Sequence, residues 1–324
     1  MTQHALIHLR VRALTWEAED VLGIELVAED PRASLPAFAA GAHLDLHLPG
    51  GLVRSYSLLN DAGERHRYCL AVHLDRAGRG GSRWIHERLR PGELLWAAAP
   101  RNNFPLVEDA QASVFIAGGI GITPILSMLR RLASLQRPWE LHYSARTRDR
   151  AAYVDDIREL ARATGNVAEI RFDHEPGGRP LDLQSLLGAM TASTHVYCCG
   201  PLGMLEAFAR AADAVGIDAA RRHVEYFASQ EAAATGGGFT VHLARSRKVV
   251  PVQAGQTVLD ALIAVGAEPP YSCRQGICGT CEVAVLDGTP DHRDLVLTPD
   301  EKAGNKRMMV CCSGSKTPTL TLDL

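Results

Sequence analysis

The chain has 324 residues, of which 46% are hydrophobic and 22% are charged, and its net charge at pH 7 is −3. A chain of this length exceeds what one hydrophobic core usually supports, so we expect about two or three domains of a globular protein. The slight acidic balance argues against a nucleic-acid partner, because there is no excess of positive charge to neutralise phosphates. The sequence has neither an apolar run of about 18 residues nor a signal-peptide pattern, so we expect no membrane partner and a cytoplasmic location.

Residues 1–105 contain short β-like segments separated by turn residues, among them VLGIELVAED, RSYSLLN and YCLAVHLD. This spacing is typical of an antiparallel β-barrel. Residues 106–227 instead alternate strand-like runs such as SVFIA and HVYCC with helical patterns such as TPILSMLRRLASL. The alternation predicts an α/β domain, in which helices cover the faces of a parallel sheet.

Residues 228–238, ASQEAAATGGG, have small side chains and no apolar period, and they predict a linker. The last segment, residues 239–324, contains paired strands and the helical pattern TVLDALIAVG, with Thr257 as a candidate N-cap. It also carries the cysteine-rich loop YSCRQGICGTCEV. We therefore predict a separate domain after the linker.

Cys273, Cys278 and Cys281 in this loop have the spacing C-x4-C-x2-C. With a fourth cysteine, this spacing is the signature of a plant-type [2Fe–2S] cluster, which is held by thiolates. Gly276 and Gly279 allow the backbone of the loop to approach the cluster closely. Zinc or plain core thiols are the alternatives, but a zinc ribbon needs two C-x2-C pairs, and only Cys278 and Cys281 form one.

Two adjacent cysteine pairs compete for the fourth ligand position. Cys198 and Cys199 end a predicted buried strand of the middle segment and are separated from the loop by the linker. Cys311 and Cys312 lie in the same segment as the loop, so only they can reach it without a domain crossing. Successive side chains of a strand point to opposite faces, so one of the two faces the cluster. Periodicity leaves open which one it is.

A glycine-rich turn joins a strand to a helix in SVFIAGGIGITPILSMLRRL, residues 113–132. Glycines at such a turn let a diphosphate approach the backbone and the positive end of the helix. The turn is not the G-x-G-x-x-G fingerprint, because Pro124 stands where the last glycine would be. We expect Thr123 and Pro124 to open the helix. A purely structural turn would have the same residues.

The segment RSYSLLN, residues 54–60, is followed by GRGGSRWIHERL, residues 78–89. In the second stretch, glycines surround an arginine and precede Ser82, which we expect to cap the helix that follows. Free backbone N–H groups, a hydroxyl and a helix end together suit a phosphate. An ordinary surface loop before a helix is the alternative.

The boxes R-S-Y-S, G-G-I-G-I-T-P, C-G-P and C-R-Q-G-I-C-G-T-C follow one another over essentially the whole chain. In this order they resemble the phthalate dioxygenase reductase family, which includes vanillate demethylase reductase subunits. The resemblance implies a multidomain fold with an antiparallel β-barrel flavin domain at 1–105 and an NAD-binding α/β parallel-sheet domain at 106–227. After the linker it implies an α+β, β-grasp [2Fe–2S] ferredoxin domain at 239–324.

The resemblance also implies roles for the residues that match the family's boxes. Arg54 would hold the flavin phosphate, Tyr56 would pack on the ring system, and Ser57 would lie near the reactive nitrogen. Cofactor contacts are also implied for Ser55 in the same box and for three further segments. These are the phosphate loop with Gly80, Gly81 and Ser82, the pyridine-nucleotide turn with Gly119, Gly121 and Thr123, and the box beside the nicotinamide with Cys199, Gly200 and Pro201. The short loop before the helix favours FMN over FAD.

Phe227 matches an aromatic residue that stacks on the isoalloxazine and must yield to the nicotinamide, with a core or interface role as the alternative. The predicted catalytic residues are Ser57, Thr123, Cys199 and Phe227. Cys311 aligns with the fourth ligand of the cluster.

The activity that the resemblance implies is hydride transfer from NADH to FMN, followed by single-electron transfer through [2Fe–2S] to a Rieske non-haem iron oxygenase that acts on an aromatic compound. The chain has no Rieske pairing of Cys with His, so the oxygenase would be another chain. Arg146 and Arg148 could bind the 2′-phosphate of NADPH, but the family resembles NADH users and we favour NADH. The alternatives are a stand-alone NAD(P)H-dependent reductase of a quinone, nitric oxide or a metal, and a redox-sensing electron-transfer protein.

Overall fold

The computed structural model describes residues 6–227, 232–267 and 269–324 of the chain. The chain divides into two compact units, with the boundary between Glu225 and Tyr226. The predicted linker, residues 228–238, lies partly outside the described residues. The predicted boundaries at 105, 227 and 238 stay predictions.

The first unit begins with an antiparallel sheet in the strand order β4-β3-β6-β1-β2-β5. Its strands are β1 (Ile7–Ala18), β2 (Val21–Ala28), β3 (His43–Leu48), β4 (Leu52–Ser57), β5 (Tyr68–His73) and β6 (Leu94–Ala97), and helix α1 (Gly81–Arg88) lies between β5 and β6. Buried leucines such as Leu9, Leu44 and Leu70 fill one face of the sheet. The antiparallel architecture predicted for this part of the chain is confirmed.

The second sheet of this unit is parallel, in the order β11-β10-β7-β8-β9. Its strands are β7 (Ala112–Gly118), β8 (Trp139–Ala145), β9 (Val167–Phe172), β10 (Thr194–Cys199) and β11 (Arg222–Glu225), and its helices are α2 (Ile122–Ser134), α3 (Val154–Thr164), α4 (Leu183–Gly188) and α5 (Leu202–Ala214). The strand order reverses between β7 and β10, and the crevice at the carboxyl ends of these strands is where open α/β sheets bind ligands. The predicted parallel α/β architecture is confirmed.

Helix α2 holds the end of the RSYSLLN box against the parallel sheet. The buried hydroxyl of Ser127 donates to the carbonyl of Asn60 at 3.0 Å, and the guanidinium of Arg130 donates to the carbonyl of Leu59 at 2.7 Å. The helix that starts at the glycine turn is therefore fixed to the segment that directly follows β4, the strand that carries Arg54 and Tyr56.

The second unit has a five-stranded sheet in the order β13-β12-β18-β14-β16 and a two-stranded sheet, β15-β17. Its elements are β12 (Phe239–Leu243), β13 (Val249–Val252), α6 (Val258–Ala264), β14 (Glu282–Asp287), β15 (Pro290–Asp291), α7 (Pro299–Gly304), β16 (Arg307–Met309), β17 (Gly314–Ser315) and β18 (Thr319–Leu322). Thr257 caps α6 as predicted, and Asp260 completes a capping box with it. The combination of sheet and helices confirms the predicted α+β class.

Candidate functional site

The two segments proposed to hold a flavin phosphate meet at the start of α1. The guanidinium of Arg54 donates to the carbonyls of Val53 at 2.8 Å and Arg79 at 3.0 Å. A Cβ added at Gly81 would lie 2.7 Å from Cγ of Arg54, so the arginine stem occupies the space that the glycine leaves open. A guanidinium beside the amino end of a helix is a suitable environment for a phosphate. These residues therefore fit the phosphate of a flavin mononucleotide.

The expectation that Ser82 caps this helix is wrong. Helix α1 begins at Gly81 with Gly80 as N-cap, and no side chain caps it. The hydroxyl of Ser82 instead accepts the N–H of Asp75 at 3.0 Å. The helix starts two residues earlier than the sequence suggested, so Ser82 is its second residue and can offer a backbone N–H to a ligand.

Strand β4 presents the rest of the flavin box on two faces. Tyr56 packs against the apolar core of the antiparallel sheet, and burial raises the pKa of its phenol to about 12. Ser57 is buried at the end of the strand. Ser55 points the other way, and its hydroxyl donates to the buried carboxylate of Asp45 at 2.5 Å. The hydroxyl of Ser55 is therefore on the opposite face from Arg54 and Tyr56.

At the reversal of the parallel sheet, the glycine turn packs directly on the C-G-P box. Strands β7 and β10 are neighbours, with Ala117 opposite Cys199. A Cβ added at Gly121 would lie 2.5 Å from the carbonyl carbon of Cys199 and 2.8 Å from the nitrogen of Gly200. A Cβ added at Gly118 would lie 2.6 Å from Pro201. These glycines are needed for the close contact between the two boxes.

Gly119 differs from the other glycines of the turn. Its φ is 52°, in the left-handed region that favours glycine, and a Cβ there would meet no described atom within 4 Å. The backbone at Gly119 is thus open to a ligand at the carboxyl edge of the sheet.

Helix α2 begins at Ile122, after a single turn of 3-10 helix over Gly119–Gly121. Pro124 is therefore the third residue of the helix, whereas the sequence predicted that Thr123 and Pro124 open it. A proline is compatible with this position, because the first N–H groups of a helix have no intrahelical acceptor. The buried hydroxyl of Thr123 donates to the carbonyl of Ile120 at 2.9 Å, which stabilises the turn.

Glu225 is a candidate site residue that our sequence analysis missed. It lies opposite Cys199 in the parallel pair of β10 and β11. Burial raises the pKa of its carboxyl to about 8, and its Oε2 atom has no hydrogen-bond partner among the described residues. Burial, and next the Glu225 carboxylate, raise the pKa of the Cys199 thiol. The only signal in the sequence is one acidic residue at the end of the strand in HVEYF.

Three of the four predicted cluster ligands in the second unit, Cys273, Cys278 and Cys311, have neighbouring thiols. Cys273, Cys281 and Cys311 are buried, and Cys278 is partly exposed. The thiols of Cys278 and Cys311 are hydrogen-bonding neighbours of the Cys273 thiol. Among the residues described, no three His, Cys, Asp or Glu side chains converge on a single metal ion. A [2Fe–2S] cluster spreads its ligands over two irons, two to each, so it does not need such a convergent set.

Two polar groups of the loop contact the sulfur atoms of its own cysteines. The N–H of Gln275 donates to Sγ of Cys273 at 3.3 Å, and the Thr280 hydroxyl lies 3.2 Å from Sγ of Cys278. Gly276 has a φ of 70°, and a Cβ there would lie 2.5 Å from Sγ of Cys312. Cys312 is thus packed behind Gly276, whereas Cys311 lies beside Cys273.

Phe227 belongs to the second unit and is 37% exposed. Its stacking role stays a prediction. In the described ranges, no helix is both long enough and apolar enough to cross a membrane.

A parallel α/β sheet with a glycine turn, an antiparallel sheet with an arginine cradle, and a C-x4-C-x2-C loop together define the class of pyridine-nucleotide-dependent flavin and iron–sulfur reductases. Residues 115–210 match the family of oxidoreductase NAD-binding domains, and residues 241–315 match the 2Fe-2S iron-sulfur cluster binding domain.

Known proteins similar to the chain are reductases and oxygenase components. It is 52% identical to phenoxybenzoate dioxygenase subunit beta of Ectopseudomonas oleovorans, over 99% of this chain and 98% of that one. It is 46% identical to tetrachlorobenzoquinone reductase of Sphingobium chlorophenolicum, over 98% of each chain. The solved structure of phthalate dioxygenase reductase matches with a TM-score of 0.76 and 36% identity, over 99% of this chain and 98% of that one.

An intact type IV self-sufficient cytochrome P450 monooxygenase also matches, with a TM-score of 0.83 and 40% identity. The match covers 98% of this chain and 41% of the P450 chain. The chain belongs to the phthalate dioxygenase reductase family. It is an NADH-dependent oxidoreductase, and the family binds FMN, NADH and a [2Fe–2S] cluster.

Proposed function

We propose that this protein is the reductase component of a Rieske-type oxygenase system that acts on an aromatic compound. The observation that carries the proposal is that one chain combines two features. Its first unit has the open glycine turn and the contact between Gly81 and Arg54, and its second unit has the neighbouring thiols of Cys273, Cys278 and Cys311. The relatives named as a dioxygenase subunit and as phthalate dioxygenase reductase support an oxygenase as the electron acceptor.

The cradle residues would bind and orient the flavin. Arg54 would neutralise the phosphate, and the backbone N–H groups of Gly81 and Ser82 at the start of α1 would donate to it. Tyr56 would pack on the ring system as a neutral phenol, because burial raises its pKa to about 12. Ser57, at the end of the strand, would lie near the reactive nitrogen of the ring.

The carboxyl edge of the parallel sheet would bind the pyridine nucleotide. The open backbone at Gly119 would receive the diphosphate, with Gly121 and Thr123 fixing the turn. Cys199, Gly200 and Pro201 would line the nicotinamide position. The protonated carboxyl of Glu225, below pH 8, would offer a hydrogen-bond donor there without adding a buried charge.

FMN held by these residues would supply the exchange between the two-electron chemistry of NADH and the one-electron chemistry of the cluster. Cys273, Cys278, Cys281 and Cys311 would hold the cluster. The choice of Cys311 is supported by its position beside Cys273, whereas Cys312 is packed behind Gly276.

A second candidate is a stand-alone reductase that delivers electrons to a quinone. The relative named tetrachlorobenzoquinone reductase, at 46% identity, favours this alternative. It uses the same nucleotide and flavin residues and differs only in the acceptor.

The test compares acceptors for the purified protein loaded with FMN and iron–sulfur cluster. We expect NADH-dependent reduction of ferricyanide and, with a purified Rieske-type oxygenase and its aromatic substrate, formation of oxygenated product. Reduction of a substituted benzoquinone at a far higher kcat/KM, with no product from any oxygenase offered, would support the quinone reductase instead. Failure to oxidise NADH with any acceptor would contradict both.

A further inference from the structure

A buried acidic residue of the second unit packs against the cysteine loop. Asp294 is 1% exposed. A Cβ added at Gly276, in the loop between Cys273 and Cys278, would lie 3.1 Å from Cα and 3.3 Å from Cβ of Asp294. The carbonyl of Gly276 also accepts the N–H of Leu295 at 2.9 Å. The segment that carries Asp294 is therefore both packed against the loop and hydrogen-bonded to it.

The same segment also contacts the region of the predicted fourth ligand, Cys311. The backbone N–H of Arg293 donates to the hydroxyl of Ser313 at 3.2 Å. The Cβ added at Gly276 would lie 2.5 Å from Sγ of Cys312, the direct neighbour of that ligand. The two parts of the second unit that carry predicted cluster ligands therefore contact one and the same segment.

The carboxylate of Asp294 has partners at only one of its two oxygens. Its Oδ2 atom accepts the N–H groups of Leu297 at 2.8 Å and Val296 at 3.2 Å. Its Oδ1 atom is buried and has no hydrogen-bond partner among the described residues, because Nδ1 of His292 is 3.6 Å away. The ammonium of Lys302 donates to the backbone carbonyl of Asp294, at 2.5 Å. In the described ranges, no arginine or lysine forms an ion pair with this carboxylate.

A buried charge without a cationic partner acts on any charge that is added nearby. Two backbone N–H groups that donate to one oxygen suit an ionised carboxyl, so Asp294 places a negative charge against the loop. Reduction adds one electron to an iron–sulfur cluster, and the potential of a cluster depends on charge and on solvent exposure. Repulsion from Asp294 therefore disfavours the reduced state. At an effective dielectric constant of about 20, one charge changes such an equilibrium by about tenfold across about 10 Å.

We infer that Asp294 lowers the reduction potential of the [2Fe–2S] cluster held by the cysteine loop, and so sets how strongly the protein donates electrons to its acceptor. The inference rests on the proposed function of the loop and names the residue that tunes it. No bond forms or breaks at Asp294, because only the electron that comes from NADH moves. Its hydrogen bonds to the N–H groups of Val296 and Leu297 also stabilise the turn. A variant that keeps these hydrogen bonds and removes the charge separates the two effects.

The test is a redox titration of the cluster in the purified holoprotein. The protein is titrated anaerobically with dithionite in the presence of redox mediators, and the electron paramagnetic resonance signal of the reduced cluster is followed. Asp294→Asn keeps an oxygen that can accept the two N–H groups and removes the charge. We expect the equilibrium constant for reduction of the cluster to rise by about tenfold, which for one electron is an upward shift of about 59 mV. Iron and sulfide contents should stay as in the wild type.

Asp287→Asn is the matched control, because it makes the same change at an exposed carboxylate of the same unit, on β14. It should leave the potential as in the wild type. A potential of Asp294→Asn no higher than that of this control would overturn the inference. Asp294→Ser is a second variant, since its hydroxyl can accept N–H groups of the following residues, and it should shift the potential in the same direction. Loss of the cluster from both variants would assign Asp294 to holding the loop and would also overturn the inference. A wild-type protein without a cluster signal after dithionite would contradict the proposed cluster itself, which is a separate outcome.

Discussion

Replacing Gly121 by alanine tests whether the contact between the glycine turn and the C-G-P box positions the nicotinamide. The added Cβ would lie 2.5 Å from the carbonyl carbon of Cys199 and 2.8 Å from the nitrogen of Gly200. An ordinary carbon–carbon contact is about 3.5 Å, so the two segments must separate by about 1 Å. Both neighbours are backbone atoms, so no side chain can rotate away to relieve the overlap.

A displacement of about 1 Å at a reacting centre can reduce a rate by about 100-fold. We therefore expect Gly121→Ala to slow the reduction of bound flavin by NADH, followed by stopped-flow absorbance, by roughly two orders of magnitude. Overpacking should also cost about 1–3 kcal/mol of stability. Contents of FMN and of iron and sulfide should stay as in the wild type, because their residues lie elsewhere.

Gly188→Ala is the control, since a Cβ at Gly188 would meet only a side-chain carbon of Val215 at 3.8 Å, which is an ordinary contact. It should reduce flavin at the wild-type rate. If Gly121→Ala also reduced flavin at the wild-type rate, the packing of the two boxes would not determine nicotinamide position, and the reasoning would be refuted.

Three further predictions concern the other parts of the site. Gly81→Ala places a Cβ 2.7 Å from the stem of Arg54, and the displaced guanidinium should weaken FMN binding by about tenfold or more in a fluorescence titration. Cys311→Ser should abolish the absorption and electron paramagnetic resonance signals of the cluster, whereas Cys312→Ser should keep them. In the wild type, the free energy of unfolding should fall as the pH rises from about 4 to about 8, because in this interval the Glu225 carboxyl keeps its proton in the folded chain and loses it in the unfolded chain. Glu225→Gln should remove this fall.

Each of these predictions has a control or a contradicting result. Gly188→Ala should bind FMN normally, and unchanged FMN affinity in Gly81→Ala would remove Arg54 from the phosphate site. A cluster that survives Cys311→Ser and is lost in Cys312→Ser would move the fourth ligand by one residue. Glu159→Gln changes an exposed carboxylate and should keep the wild-type pH dependence of chemical denaturation. If the free energy of unfolding of Glu225→Gln changed with pH as it does in the wild type, Glu225 would be ionised in the folded protein.

Features that depend on neighbouring residues could be predicted from the sequence. The cap of α6 by Thr257 was one of them, because its hydroxyl bonds the N–H only three residues later. The antiparallel and parallel segments were also predictable, since the periods of apolar residues differ between them. The C-x4-C-x2-C spacing predicted a cysteine loop, and the thiols of Cys273 and Cys278 in this loop are neighbours.

Features that depend on distant contacts could not be predicted. Gly121 reads as a phosphate-turn glycine, but its closest neighbour, Cys199, is far away in sequence and is brought there by pairing of β7 and β10. Glu225 reads as an ordinary strand-end acid, and only its burial opposite Cys199 perturbs its pKa. Ser82 was placed wrongly because its hydroxyl bonds the backbone of Asp75 and leaves the cap to Gly80.

The central claim is that electrons from NADH leave the protein one at a time through the cysteine loop. Anaerobic addition of NADH to the purified holoprotein, read by low-temperature electron paramagnetic resonance, tests it most directly. We predict the signal of a reduced [2Fe–2S] cluster in the wild type and no such signal in Cys311→Ser, in which NADH should still bleach the flavin absorption. A wild-type protein whose cluster is reduced by dithionite but not by NADH would contradict the account.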